Sequence, residues 1–425
     1  MIATFRIRNF RSILDMTVDF RFAEGKAPNG YKNWDTLPFL EADNGTRLVP
    51  CMALFGANAS GKTNVLRAMD NFRRAVLSKE AVEFYQPNKL HDSFEPTVYE
   101  LTFILGDSEF VYTLDFNGDE IRSEALAKNG VCLYSIKRNK GIFSALSTGN
   151  YDGNRLQEIL DVECSDGKGH QISTFLKRIG ENYRGLNDDL LNVFGYFYVG
   201  ILVFNDNDIF LPDALVGLKT HYNDNEEKAL AAVVDLVRKL DVDVKDIVVR
   251  REEVDKNRGR PNKVYRDRPN SNQYEVYDIK SFHSNIHGER VAFDFAKEES
   301  NGTKRLSGLV GALLFALKGA HALFVDELDC SLHSLLLREL ICLFKDKRYN
   351  VDRAQLIFTT HNTDILDDEI LRVSEVAIIR KTLHAGSMIK RIVEFKEDGM
   401  DVRNVTNFRK QYLKGFYSGV PHPAI

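Results

Sequence analysis

A run of eight residues, 56–63, has the residue types and spacing of a loop that binds a polyphosphate. It reads Gly-Ala-Asn-Ala-Ser-Gly-Lys-Thr and fits the pattern G-x-x-x-x-G-K-[ST]. Its glycines let backbone N–H groups point at phosphate oxygens, while Lys62 would neutralise the outer phosphates and the Thr63 hydroxyl would ligate Mg²⁺. A glycine-rich turn that contains Lys-Thr by chance is the alternative. The nucleotide-binding residues predicted from this run are Gly56, Asn58, Gly61, Lys62, Thr63 and Asn64.

Two adjacent carboxylates, Asp326 and Glu327, follow a short apolar run in the second half of the chain. Residues 323–325 read as a buried strand that ends at this pair. In phosphoryl-transfer ATPases this arrangement puts the first acid in the Mg²⁺ shell and the second beside the attacking water, as base or positioner. A plain strand that ends at an acidic turn is common, so the prediction depends on the partner motifs.

Two further motifs lie on either side of the acidic pair. After it, residues 356–360 form another apolar strand, and His361 at its end would reach the γ-phosphate as a switch residue if the two strands are neighbours. Before it, Ser300 and Gly302 open an apolar helix, and a Ser-x-Gly at a helix N-terminus is an anion-binding cap. The alternatives are a structural histidine and a plain N-cap with nothing bound.

The elements that position these motifs follow from the hydrophobic pattern. Residues 51–55 read as a buried strand before the loop, and residues 64–76 carry apolar side chains at helical spacing after it. Residues 2–20 read as two strands joined by a bend at 9–12, which carries Arg11. A solvated turn is the alternative reading of this polar bend.

Beyond the loop helix the pattern changes from strands to helices. Residues 98–136 contain four β-rich runs separated by turn residues, which predict an antiparallel meander in a sheet distinct from the parallel one. The pattern is helical from 155 to 245, most clearly at 226–240. The expected domains are an N-terminal lobe at 1–150, a helical insertion at 151–285 and a C-terminal lobe at 286–425.

Two segments have loop-like composition. Residues 22–47 carry the sole tryptophan, Trp34, and predict a loop or hairpin excursion. Residues 245–268 combine nine basic with five acidic residues and predict an exposed segment. A local phosphate-binding patch is the functional hypothesis for this second segment, and a solvated loop is the alternative that its interspersed acids favour.

The overall composition is that of an ordinary soluble globular protein. Of the 425 residues, 44% are hydrophobic and 28% charged, and the formal net charge of −4 means that any nucleic-acid contact would be a local patch. Five cysteines without C-x-x-C spacing favour reduced thiols in the cytoplasm. The N-terminus lacks a signal-peptide pattern, and Lys318 and His321 interrupt the longest apolar tract, so no membrane span is expected.

Together these motifs resemble the ABC-type ATPase heads of the RecF, SMC and OLD group. Within that group they look like the small AAA-like ATPases of anti-phage systems, such as AriA of PARIS and the ATPases of Septu and abortive-infection loci. The resemblance touches both ends of the chain. The matching stretches are residues 9–12, 56–63, 299–305, 326–329, 331–333, 359–361, 412–415, 417 and 419–421.

The resemblance implies an α/β fold in which a P-loop parallel core sheet is joined by an antiparallel β lobe and a helical insertion, without a long coiled coil. It implies ATP and Mg²⁺ as cofactors, with Thr63 and Asp326 on the metal. It also implies that Glu327 is the base, that His361 is the switch histidine and that Arg11 lies beside the nucleotide.

The same resemblance implies sites shared between two copies of the chain. Ser300 and Gly302 of one copy would bind the γ-phosphate of the nucleotide held by the other, and Asp329 would be the D-loop residue that communicates between the sites. A head-to-head dimer or a higher oligomer follows. Gln86 is the candidate Q-loop glutamine, and the Ser-Asn-Gly-Thr signature, unlike the transporter Leu-Ser-Gly-Gly-Gln, counts against a transporter.

Two functions are consistent with these expectations. The first is an ATPase that is the sensor or scaffold subunit of an anti-phage defence system. Too few residues follow His361 for a Toprim nuclease, so such a nuclease would be a separate effector, and a phage protein would be the trigger. The second is a RecF-like DNA-binding repair ATPase, whose duplex binding would weaken steeply with salt. A nucleotide-stabilised structural partner with negligible turnover is a third alternative.

Overall fold

The structure, a computed structural model, describes most of the 425 residues. The residues outside the description are 24–36, 90–94, 144, 147–151, 184, 205–210, 241–242, 259–260, 262–263, 268–270, 368, 383–385, 398–399, 402–406, 418 and 420–425. Features of the sequence that therefore lie outside the described residues are Trp34, Arg260, Lys263, Arg268 and residues 420–421.

Strands and helices alternate along the described chain. The strands are β1 (Ile2–Phe10), β2 (Ile13–Asp19), β3 (Leu40–Glu41), β4 (Arg47–Leu48), β5 (Cys51–Phe55), β6 (Thr97–Leu105), β7 (Ser108–Phe116), β8 (Ile121–Lys128), β9 (Val131–Lys137), β10 (Lys140–Ile142), β11 (Ile201–Phe204), β12 (Asp246–Asp255), β13 (Val264–Asp267), β14 (Gln273–Ser284), β15 (Arg290–Asp294), β16 (Ala322–Val325), β17 (Gln355–Thr359), β18 (Val376–Thr382), β19 (Gly386–Arg391), β20 (Lys396–Glu397) and β21 (Met400–Asp401). The helices are α1 (Lys62–Leu77), α2 (Gly153–Glu163), α3 (Phe175–Asn182), α4 (Asp188–Gly195), α5 (Leu211–Leu218), α6 (Glu226–Lys239), α7 (Asn301–Lys318), α8 (Ser334–Lys345) and α9 (Phe408–Leu413).

The chain divides into two compact units. The first contains residues Met1–Asn205, Ala320–Leu328 and Leu340–Ile425, and the second contains Asp206–Gly319 and Asp329–Glu339. This division neither reproduces nor excludes the three expected domains, so their boundaries stay a prediction.

One sheet of 13 strands organises the first unit. Its order is β10-β9-β8-β7-β6-β1-β2-β19-β18-β5-β17-β16-β11. The five strands from β18 to β11 pair in parallel, and the others pair antiparallel. The predicted α/β fold, in which a parallel core sheet is joined by an antiparallel β lobe, is confirmed. The longest helix described, α7, has 18 residues, so no long coiled coil occurs in the described part of the chain.

The antiparallel meander is predicted as a separate sheet, and this prediction is wrong. Hydrogen bonding is continuous from the meander to the parallel strands because β1 and β2 lie between them and β2 pairs with β19 at Ile13 and Gly386. Gly386 has φ 65, and a Cβ there would lie 2.4 Å from the Ser12 carbonyl oxygen. A glycine thus permits the close approach that joins the two halves of the sheet.

The phosphate-binding loop at residues 56–63 is called the P-loop below. The strand before it and the helix after it form for the reasons the sequence suggests. All five residues of β5 are buried between parallel neighbours, as expected of an uninterrupted apolar run. Helix α1 has one apolar face, and the predicted positions on it are all fully buried. These positions are Val65, Leu66, Met69, Phe72 and Val76.

The second unit combines helices α5, α6 and α7 with a four-stranded antiparallel sheet. The expectation of a loop is wrong for residues 246–255, because β12 pairs with β14 along its whole length, from Asp246 opposite Phe282 to Asp255 opposite Gln273. The buried side chains Val276 and Ile279 of β14 supply the packing that the charged β12 sequence lacks. The insertion is therefore not helical throughout.

No helix in the described part of the chain is long and apolar enough to cross a membrane. All five cysteines are free thiols, as their irregular spacing predicts.

Candidate functional site

The two glycines of the P-loop occupy backbone positions that no other residue would fit. Gly56 has φ 152, and a Cβ there would lie 2.2 Å from the Ile379 carbonyl oxygen of β18. Gly61 has φ 107, and its Cβ would lie 2.2 Å from the Ser387 hydroxyl. Because both the left-handed backbone and the lack of space exclude a side chain, these glycines are required for the shape of the loop.

Lys62 is the first residue of α1 and is only 6% exposed. Its ammonium donates to the carbonyl oxygens of Gly56, at 2.8 Å, and Ala57, at 3.1 Å. The charge is therefore held inside the loop at the helix N-terminus, where phosphate oxygens would bind. Asn58 lies exposed in the same loop.

Asp326 and Thr63 come together at the carboxyl ends of the parallel strands. The Thr63 hydroxyl donates to Asp326 Oδ1 at 3.2 Å, and the Thr359 hydroxyl donates to the same oxygen at 2.5 Å. Asp326 is 6% exposed, so these bonds orient a nearly buried carboxylate. Asp326 directly follows β16 and Thr359 ends β17, and these two strands are parallel neighbours, as the sequence predicts.

Glu327 is exposed, unlike Asp326 before it. Its backbone has φ 46, a left-handed conformation that departs from the extended backbone of β16. The Glu327 N–H donates to the Thr359 hydroxyl at 2.7 Å. Thr359 therefore fixes both acids, one through its O–H and the other through its oxygen. His361 is also exposed and lies two residues after Thr359, the last residue of β17. Its role as a switch residue stays a prediction.

The oxygens of Thr63 and Asp326 fit a magnesium ion chemically. Both are hard oxygen ligands, and Mg²⁺ in nucleotide sites uses one or two such side chains together with substrate phosphates. No cluster of three or more histidines, cysteines or acids that could hold a metal occurs among the described residues. The donor set therefore suits an ion that arrives with a nucleotide.

The bend between β1 and β2 is bonded to the P-loop by a chain of hydrogen bonds. Asn64 Nδ2 donates to the Ser12 hydroxyl at 2.8 Å, the Ser12 and Ser387 hydroxyls lie 2.7 Å apart, and Ser387 donates to the Ser60 carbonyl oxygen at 2.7 Å. Because Ser387 uses its proton on Ser60, Ser12 must donate to Ser387. The chain has one consistent direction and holds the bend against the loop.

Arg11 lies in this bend, next to Ser12. Its Nε donates to Gln86 Oε1 at 2.8 Å, and its backbone N–H donates to the Gln86 carbonyl oxygen at 3.0 Å. Burial lowers the pKa of Arg11, and the nearby positive charge of Arg67 lowers it further. The candidate Q-loop residue and the candidate nucleotide-binding arginine are thus partners, and both assignments stay predictions.

The predicted signature and D-loop residues belong to the second unit. Ser300 is the N-cap of α7, and its hydroxyl accepts from the Thr303 N–H at 3.1 Å, as the capping alternative requires. A Cβ on Gly302 would lie 3.0 Å from the Ser331 carbonyl oxygen. Gly302 therefore packs against the loop that begins at Asp329. Anion binding by this cap stays a prediction.

At least two basic residues of the segment 245–268 have acidic partners within the described part of the chain. Arg251 pairs with the buried carboxylate of Glu275 at 2.9 Å, and Arg266 pairs with Asp213 at 3.2 Å. Internal partners thus neutralise two of the described basic residues, which weakens the phosphate-patch hypothesis.

Three residues that organise the site are absent from the residues predicted from the sequence. Thr359 lies within the matching stretch 359–361, so its motif could have indicated it. Ser12 likewise lies in the matching stretch 9–12. Ser387 belongs to no recognisable motif. It reaches the P-loop only because β19 pairs with β2, which a single sequence does not reveal.

The sequence and fold can be compared with known proteins. Residues 51–367 match the model of one family, described as "AAA domain, putative AbiEii toxin, Type IV TA system". No curated protein matches the chain. Solved structures similar to it include the SMC head domain from Thermotoga maritima, with 12% identity over 92% of this chain and 98% of that chain and a TM-score of 0.41. An SMC head bound to the C-winged helix domain of ScpA has 13% identity over 92% and 96%, with a TM-score of 0.40. The Smc head domain with a coiled coil and joint from Pyrococcus yayanosii has 11% identity over 92% and 96%, with a TM-score of 0.42.

Proposed function

The chain belongs to this AbiEii-type AAA domain family, and from that premise we propose that it binds ATP and hydrolyses it slowly. The observation that carries the proposal is the contact between Thr63 and Asp326, which joins the P-loop helix to the acidic strand at 3.2 Å. Two motifs 263 residues apart in sequence thus supply oxygens to one point beside Lys62. Phosphoryl transfer requires the P-loop lysine and the magnesium ligands to act on the same phosphate groups, and this arrangement allows it.

Each residue of the site has a separate task in the proposed reaction. Lys62 and the P-loop N–H groups bind and orient the outer phosphates. Thr63 and Asp326 would hold Mg²⁺, which neutralises phosphate charge when it is bound. Glu327 orients the attacking water and accepts its proton, and the Thr359 hydroxyl fixes the Glu327 backbone for this role.

The first test is nucleotide binding by the variant Lys62→Ala. Removal of a charge-assisted contact to phosphate is expected to raise the Kd for ATP by roughly 100-fold. Fluorescent-ATP titration measures this, with Lys79→Ala, an exposed lysine just after the same helix, as the matched control. Equal affinity of the Lys62→Ala variant and the parent chain would contradict the site.

The second test separates binding from chemistry with Glu327→Gln. The amide keeps the size of the side chain but cannot take a proton, so ATP should bind normally while phosphate release falls by roughly 100-fold. Trapped nucleotide should be recovered after gel filtration. Hydrolysis at the parent rate would remove Glu327 as the base.

At the level of biology, we propose that the ATPase is the sensor or scaffold subunit of an abortive-infection defence system of the PARIS type. ATP would engage two copies head to head, and engagement would store or release a separate effector, such as a Toprim nuclease, in response to a phage protein. The family description supports the abortive-infection setting. Co-purification with genomic neighbours, followed by mass measurement with and without ATP, tests it. An adjacent nuclease that binds the chain supports the proposal, and replication genes as neighbours contradict it.

A further inference from the structure

The C-terminal segment, defined as residues 407–417 with Gly419, turns back toward the P-loop. Helix α9 ends at Leu413 and is capped by Lys414. The next residue, Gly415, has φ 79, and its N–H donates to the Tyr412 carbonyl oxygen at 2.8 Å. The Phe416 N–H donates to the Gln411 carbonyl oxygen at 3.1 Å. These two bonds form a Schellman motif, which reverses the chain direction. The Tyr412 hydroxyl then donates to the Gly419 carbonyl oxygen at 3.0 Å and closes the turn.

Gly419 occupies a slot beside the first glycine of the P-loop. A Cβ on Gly419 would lie 2.4 Å from Ile378 Cγ2 and 3.7 Å from Gly56 Cα. Gly56 also lacks space on the side where a side chain would lie, because a Cβ there would meet the Ile379 carbonyl oxygen at 2.2 Å. The segment and β18 therefore enclose Gly56.

The same segment contacts other parts of the site. The Tyr412 ring lies 6.0 Å from the ring of Phe55, the residue before the P-loop. Arg409 pairs at 2.9 Å with Asp364, three residues after His361. Both charged side chains are about half exposed, so this ion pair adds little stability. It nevertheless connects the segment to the loop that carries the predicted switch residue.

We propose that the C-terminal segment is a positioning element of the nucleotide site. By packing Gly419 against Gly56, it holds the P-loop in the conformation that turns its N–H groups toward phosphate, and so it sets the affinity for ATP. This inference rests on the proposed function of ATP binding. It gives a task to the matching stretches 412–415, 417 and 419, which the proposed reaction itself does not use.

The test compares ATP affinities of variants that alter the slot. Gly419→Ala places a methyl group against Ile378 and should raise the Kd for ATP by about tenfold, as expected for overpacking of a tight site. Ile378→Leu removes the Cγ2 methyl, so the double variant Gly419→Ala/Ile378→Leu should regain most of the affinity. The matched control is Gly153→Ala, where an added Cβ meets no heavy atom within 4 Å.

The outcomes distinguish this inference from the proposed function. If the parent chain does not bind ATP, the proposed function fails. If the parent chain binds and a folded Gly419→Ala variant binds equally well, or if Ile378→Leu gives no rescue, the positioning role is wrong. Should Gly419→Ala not fold, Tyr412→Phe decides, because it removes only the hydroxyl bond to Gly419. A Kd raised several-fold supports the role, and an unchanged Kd overturns it.

Discussion

Thr359 shows how one hydroxyl can serve two acids with different tasks. It donates to Asp326 Oδ1 at 2.5 Å and accepts from the Glu327 N–H at 2.7 Å. Its single proton is directed at the carboxylate, and its lone pair remains for the amide. The orientation of the proposed metal ligand, Asp326, and of the proposed base, Glu327, therefore depends on a residue that needs no contact with the nucleotide.

This dependence predicts a selective loss of activity in Thr359→Val. The substitution keeps the shape of the side chain but leaves a nearly buried carboxylate without one donor, and hydrogen bonds to charged groups are worth about 1.5–3 kcal/mol. We expect the hydrolysis rate to fall by roughly 10- to 100-fold while ATP affinity changes by less than about threefold. Single-turnover phosphate release measures the rate. Thr359→Ser, which keeps the hydroxyl, is the matched control, and equal loss in both variants would contradict the assignment.

At the scale of elements, Glu124 of β8 connects the antiparallel lobe to helix α3. It is fully buried and accepts from the Tyr112 hydroxyl at 3.0 Å and the Tyr134 hydroxyl at 2.8 Å. It also accepts the Phe175 N–H at 2.7 Å and the Leu176 N–H at 3.0 Å, at the start of α3. A carboxylate at a helix N-terminus is favourable, but burial of its charge is costly, and burial raises its pKa.

The raised pKa predicts how stability depends on pH. Between the usual value of 4.5 and the higher folded-state pKa, the folded chain keeps a proton that the unfolded chain releases, so stability falls as pH rises through this window. Glu124→Gln cannot titrate, and its amide nitrogen would face the Phe175 N–H, which costs about 1–3 kcal/mol. Urea unfolding from pH 4.5 upward should show this cost shrinking as pH rises, by up to roughly 1.4 kcal/mol per pH unit within that window. A cost that grows with pH would reverse the sign and contradict this account.

The elements that can be predicted from the sequence are those that form because of residues close to one another in the chain. Strand β5, the P-loop and α1 follow from a motif and a helical period, and the bend at 9–12 follows from alternation on both sides. Strand β12 could not be predicted because its charged residues are strand-forming only when β14 supplies an apolar partner. Ser387 could not be predicted either, since sheet pairing brings it to Ser60 from 327 residues away.

At the scale of the whole molecule, the residues proposed to bind one nucleotide are divided between the two units. Lys62, Thr63 and Asp326 belong to the first unit, whereas Ser300 and Gly302 belong to the second. If two copies pair head to head, each nucleotide takes its P-loop from one copy and its signature from the other. This arrangement makes a prediction that stability or binding measurements on single variants cannot test.

Mixing two inactive variants should restore activity if the signature acts across the pair. Lys62→Ala lacks a working P-loop, and Ser300→Arg places a bulky cation where the cap would meet phosphate. In a mixed dimer, one site combines both defects, while the other combines the intact Lys62 of one copy with the intact Ser300 of its partner. We therefore expect an equimolar mixture to recover up to roughly a quarter of parent phosphate release, since half of randomly formed dimers are mixed and each has one intact site.

The control for this mixing experiment is the double variant Lys62→Ala/Ser300→Arg mixed with either single variant. Every site formed in those mixtures carries at least one defect, so no recovery is expected even though the same surfaces meet. If the signature instead serves its own copy's P-loop, the original mixture will also stay inactive, because each chain then holds one damaged site. Recovery in the first mixture without recovery in the controls thus requires a nucleotide completed by the second copy, and inactivity of a mixture that demonstrably forms mixed dimers excludes it.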